Sequence, residues 1–130
     1  MKGALTGIFY NKGEVCAAGS RLFLEDSIHD AFMGKLTERV KGLTVGDPMD
    51  KATRMGPVVS KAQMDTVLSY IEAGKQEGAR LVAGGGRASV GNGKGYFIQP
   101  TIFDDVRNTM KIAREEIFGP VLSVIPFKSL

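Results

Sequence analysis

Cysteine and histidine are almost absent from this 130-residue chain: each occurs once, as Cys16 and His29. A single Cys excludes an intrachain disulfide framework and a zinc site built on clustered cysteines. A single His excludes a multi-histidine metal centre and leaves one partner for any Ser–His or Cys–His pair. No metal site is expected. Long apolar runs are missing too, and nothing approaches the ~18 residues of a membrane span. The start, Met1 to Leu5, is weakly apolar and is soon interrupted by Asn11-Lys12-Gly13-Glu14, unlike a secretory signal. A cytoplasmic, reduced setting without membrane contact is the expectation. Charge of one sign is scarce as well. Seventeen Lys and Arg face 14 Asp and Glu, for a net charge of +3. They form no basic block and no basic stripe interleaved with aromatics, which argues against a nucleic-acid partner.

What remains is an ordinary core-forming composition, 43% hydrophobic and 24% charged. The length suggests one domain that buries roughly two-thirds of its unfolded surface. Glycine is the unusual component. Its 17 copies are about twice the usual share of ~7%. They are spread along the chain and thicken only at Gly84-Gly85-Gly86 and between Gly91 and Gly95. That distribution predicts tight turns and helix ends within one domain. The triple glycine does not sit in a GxGxxG frame between strand and helix, so it reads as a turn.

Periodicity predicts a helix over 3–11, a strand over 20–24 and a helix from Asp26 or Ser27 to about residue 42. The inward face of that helix is expected to carry Ile28, Ala31, Phe32, Leu36, Val40 and Leu43. His29 falls near its polar edge and reads as a surface residue, with Lys35, Arg39 and Lys41 on a solvated face. Residues 44–59 read as a loop. Ser60 caps a second helix that buries Met64, Val67, Leu68 and Ile71 and ends at Gly74 or Gly78. Leu81 to Ala83 reads as a strand, and residues 96–98 and 101–103 as extended segments. A short helix is expected around 109–116, and Val121 to Phe127 as a strand buried on both faces. Strands alternating with helices predict an α/β fold, a mainly parallel sheet with flanking helices.

Cys16 lies in the connection between the first helix and the first strand, followed by the small residues Ala17, Ala18 and Gly19. Such a loop can present a reactive side chain to a substrate that approaches closely. A lone Cys is more often a small buried hydrophobe than a nucleophile, and local composition alone favours that reading.

Longer motifs favour the nucleophile. The stretch from Gly7 to Arg21 contains Phe9-Tyr10-Asn11, Gly13-Glu14, Cys16 and Ser20-Arg21. It resembles the catalytic-cysteine motif of the NAD(P)-dependent aldehyde dehydrogenase superfamily. About a hundred residues later, Glu115-Glu116-Ile117-Phe118-Gly119-Pro120 resembles a second motif of that family. Gly56-Pro57 with Gln63, and Gly95 to Thr101, fall between them in the family's order. The resemblance implies that Cys16 is the nucleophile. Its thiolate would attack an aldehyde carbonyl, hydride would pass to NAD or NADP, and water would hydrolyse the resulting thioester to a carboxylic acid. A free thiol is only a few per cent thiolate at pH 7, so such chemistry needs activating surroundings. The backbone N–H of Cys16 is implied as an oxyanion donor. Glu116 is implied to bind the nicotinamide ribose hydroxyls, Phe118 to pack beside the nicotinamide, and Gln63 to contact cofactor ribose. Glu14 matches a position held by Gln or Glu and is not assigned as a base.

Family members are several times longer than 130 residues. The resemblance implies part of the catalytic domain, with the dinucleotide-binding domain and the general-base Glu absent. Little activity of the isolated chain is then expected, and uncovered sheet edges would favour a homo-oligomer. Two other functions are compatible with these residues: a non-catalytic assembly module, and a cofactor-independent thiol esterase.

Overall fold

Val121–Phe127 (β4) is an almost unbroken apolar run, and its residues 121 to 125 are all buried. A strand of that kind must be covered on both faces. In the computed structural model, which describes residues 1–128, β4 lies inside a four-stranded sheet. The other strands are Arg21–Glu25 (β1), Arg80–Ala83 (β2) and Thr101–Asp104 (β3), in the order β1-β4-β3-β2. β1 and β3 both run parallel to β4, with Arg21 and Thr101 paired to Ser123 and Val121. β2 pairs antiparallel with β3. The sheet is therefore mainly parallel, as the alternation of strands and helices implies.

Helices cover both faces. Lys2–Phe9 (α1) and Asp26–Lys41 (α2) pack on one side, and Lys61–Gln76 (α3) and the short Lys111–Arg114 (α4) on the other. The two-residue period of the strands sorts the core. Leu122, Val124 and Ile102 face α1 and α2, whereas Val121, Ile125 and Phe103 face α3 and α4.

α2 is rotated from the expected phase. Its buried residues are Met33, Leu36 and Val40, while Ile28 and Ala31 are exposed. His29, one turn before Met33, extends this inward stripe. An apolar-only period misses it because the inward position holds a polar ring with a buried partner. β1 also runs directly into α2, with no loop between them to adjust the helix's rotation.

α3 starts as expected, with the Ser60 hydroxyl accepting from the Gln63 N–H at 3.1 Å. Leu68 is only half-buried. The helix passes through Gly74, which packs under the rings and methyls of Phe103 and Ile112, and stops before Gly78 at φ +85°. α4 is shorter than the expected 109–116 and leaves Glu115, in extended backbone, and Glu116 beyond it.

Candidate active site

The loop carrying Cys16 is closed by glycines. The Gly19 N–H donates to the Gly7 carbonyl of α1 at 2.7 Å, and a Cβ on either glycine would touch the other's backbone. After α1 the chain turns through a 3₁₀ segment, Tyr10–Gly13, in which Asn11, Lys12 and Gly13 all take left-handed φ values of 46°, 61° and 73°. Non-glycine residues in this region cost about 1–3 kcal/mol each and persist only where the surroundings hold them. Here the turn carries Gly13 against Gly119. A Cβ on Gly13 would lie 2.1 Å from the Gly119 carbonyl oxygen. Only glycine allows this approach, which joins two segments about a hundred residues apart.

Glu14 anchors the same loop. Its side chain is 6% exposed, and its Oε1 accepts from the Val59 N–H at 3.0 Å. Its Oε2 pairs with Lys12 Nζ at 3.2 Å. Both oxygens have partners, so Glu14 is built as a tether. Cys16 follows, exposed, in a turn closed by the Ala18 N–H on the Val15 carbonyl. Among the described residues the Cys16 amide makes no backbone hydrogen bond, which leaves it able to donate to an oxygen developing charge beside the thiol.

Cys16 opens onto a groove of about 330 Å³. Glu116, Phe118 and Gly119 line it too, as do Ser20 and Arg21. Three of the four residues singled out by motif thus share one cavity. The adjacent carboxylates have different surroundings. Glu115 accepts from the Tyr70 hydroxyl at 2.8 Å, which raises the Tyr70 pKa, and Lys111 lies 5.1 Å from the centre of the Tyr70 ring. Glu116 has no side-chain partner among the described residues and faces the groove. Phe118 adopts φ 55°, and its ring is partly exposed. Gly119 lets that turn close on α3: a Cβ there would meet Val67 at 2.4 Å. A carboxylate free to accept and an exposed ring in the same groove as a thiol fit a pair of sugar hydroxyls, which donate to the carboxylate, and a flat heterocycle.

Gln63 is placed differently. It does not line the groove. Its Nε2 donates to the Phe118 carbonyl at 2.7 Å and to the Ile117 carbonyl at 3.3 Å.

A second polar cluster escaped sequence reasoning. Asp104, at the end of β3, is fully buried. One of its oxygens meets His29 Nε2 at 2.9 Å, and the other accepts from the Arg80 guanidinium. Arg80 also donates to Asp105 at 3.0 Å, and His29 Nδ1 meets Asp30 at 3.0 Å. The His29 pKa is raised, first by the bond to Asp104 and then by that to Asp30. His29 is therefore an inward-facing partner of a buried carboxylate rather than a solvated surface residue. His29, Asp104 and Asp105 stand close enough to share an ion, but Arg80 already occupies both carboxylates. The Asp-Asp pair closing an apolar strand was the available sequence signal, and nothing local marks its partners.

The sequence model described as the aldehyde dehydrogenase family matches residues 1–130. The chain is 58% identical over 125 residues to a betaine aldehyde dehydrogenase of Sinorhizobium fredii, a match covering 96% of this chain and 26% of that protein. It superposes on an aldehyde dehydrogenase from Bacillus cereus in its NAD+ complex with a TM-score of 0.93 and 48% identity, over 98% of this chain and 26% of that one. The aldehyde dehydrogenase KauB from Pseudomonas aeruginosa matches with a TM-score of 0.93 and 55% identity, over the same shares. The chain thus spans about a quarter of the length of these relatives.

Proposed function

The chain belongs to the aldehyde dehydrogenase family, and from that premise we propose that it supplies the nucleophile and one wall of the cofactor site for oxidation of an aldehyde to a carboxylic acid. The observation that carries this reading is the common groove of Cys16, Glu116 and Phe118.

In this reading the Cys16 thiolate adds to the aldehyde carbon, and the carbonyl π electrons move to oxygen. The Cys16 amide N–H donates to that oxygen and stabilises the negative charge of the thiohemiacetal. Bound NAD or NADP supplies the hydride acceptor. The Glu116 carboxylate accepts hydrogen bonds from a diol, and Phe118 limits how a flat ring can lie across the groove. A thioester at Cys16 would be open to hydrolysis, because sulfur is a good leaving group. Glu14, with both oxygens engaged, tethers the loop and does not serve as the base. We assign the dinucleotide-binding domain and the general base to the portion of the relatives that this chain does not span. Removing a general base alone typically costs ~100- to 10,000-fold, so little turnover is expected of these residues by themselves.

Acylation by p-nitrophenyl acetate tests the reading. Intact-mass analysis is expected to show one acetyl group on Cys16 and none in Cys16→Ala, without sustained NADH formation from aldehydes. An unmodified Cys16, or acetylation that persists in Cys16→Ala, would contradict it.

A further inference from the structure

We propose that Gln63 is a positioning residue: its side-chain amide clamps the Phe118 turn and thereby holds Glu116 and Phe118 against the Cys16 groove. The significance of those two residues rests on the functional reading above, while the clamp itself rests on geometry. Gln63 Nε2 lies 2.7 Å from the Phe118 carbonyl oxygen and 3.3 Å from that of Ile117. Carbonyl oxygens only accept, so the nitrogen end of the amide must face them. The backbone it grips is the segment that needs gripping, because Phe118 sits at φ 55°, where a residue with a side chain is sparsely populated.

The clamp starts from a fixed point. Gln63 stands in the first turn of α3, where its own N–H is capped by Ser60. Four residues earlier, the Val59 N–H is bound by Glu14 of the cysteine loop. The start of α3 is thus tied on one side to the loop presenting Cys16 and on the other to the turn presenting Phe118. A change in either tie alters how the two walls of the groove face each other.

Residue-resolved amide exchange on the full chain tests the clamp, together with the HN–Hα coupling of Phe118, which reports its φ. Gln63→Met keeps the length and removes the donor. Gln63→Glu keeps the shape and replaces the donor with an acceptor. Gln63→Lys restores a donor. Exchange at Phe118, Gly119 and Val121 is expected to accelerate roughly three- to tenfold in the Met and Glu variants, the equivalent of one net hydrogen bond. The Phe118 coupling should move in both. The Lys variant should stay near the parent, and exchange at Met64, Val67 and Ile71 should hold in all three. Unchanged exchange at the turn in the Met and Glu variants overturns the proposal. So does acceleration in all three variants that spreads through α3, because that marks a merely structural residue. Treating the parent chain with p-nitrophenyl acetate tests the functional reading separately. If Cys16 stays unmodified, that reading fails, while the exchange data still decide the clamp.

Discussion

Gly13 does what no other residue could do at its position. It combines φ 73° with a carbonyl oxygen 2.1 Å from where a Cβ would be. Gly13→Ala is expected to destabilise the chain by about 2–4 kcal/mol, from left-handed strain plus the displacement of Gly119. Urea unfolding measures this, and a loss below about 0.5 kcal/mol would show that the contact yields easily. Glu14 offers a graded test of the tether. Glu14→Gln keeps an acceptor for the Val59 N–H and should be mild. Glu14→Ala leaves that donor unpartnered and should cost about 1–3 kcal/mol by the same measurement. Single residues were unevenly legible in the sequence. Cys16, Glu116 and Phe118 stand in contiguous motifs, and the structure brings them to one groove. The bonds of Gln63 were hidden because its partners are backbone carbonyls 54 and 55 residues away, which no side-chain pattern encodes.

Elements were read best where packing follows a single period. β4 and α3 were placed from apolar spacing and from the Ser60 cap because burial alone decides them. α2 was misphased because its inward stripe includes His29, whose burial depends on Asp104, 75 residues away. That pairing makes the α2–β3 contact pH-dependent. The folded pKa of His29 is raised, so the protonated ring is favoured by folding. Its stabilisation is fully present below the unfolded value of about 6.5 and is lost as pH rises through the higher folded value. Thermal melting should therefore show stability falling as pH rises through that window, and His29→Gln should remove this component. A parent and a His29→Gln variant with parallel pH profiles would show that the pair contributes nothing there.

At the scale of the whole molecule, β1 and β2 end the sheet, so each has one edge unpaired among the described residues. Phe23 on β1 is 51% exposed. Unpaired edges with apolar side chains promote association. Self-association is expected by light scattering at micromolar concentration, and Phe23→Lys should shift the population toward monomer. A monodisperse parent monomer would contradict this. No helix among the described residues is long and apolar enough to cross a membrane. The α/β architecture was legible because alternating strands and helices leave few alternatives. The antiparallel placement of β2 was not, since edge strands carry little pattern of their own.

The central claim is that Cys16 forms the covalent bond to substrate. The most direct test replaces the matching segment of the Sinorhizobium fredii betaine aldehyde dehydrogenase with residues 1–130. Turnover and the mass of Cys16 are then followed during reaction with that enzyme's aldehyde. NADH formation within about tenfold of the parent enzyme, an acyl adduct on Cys16, and loss of both in Cys16→Ala are the results expected. A folded chimera whose turnover survives Cys16→Ala would contradict the claim.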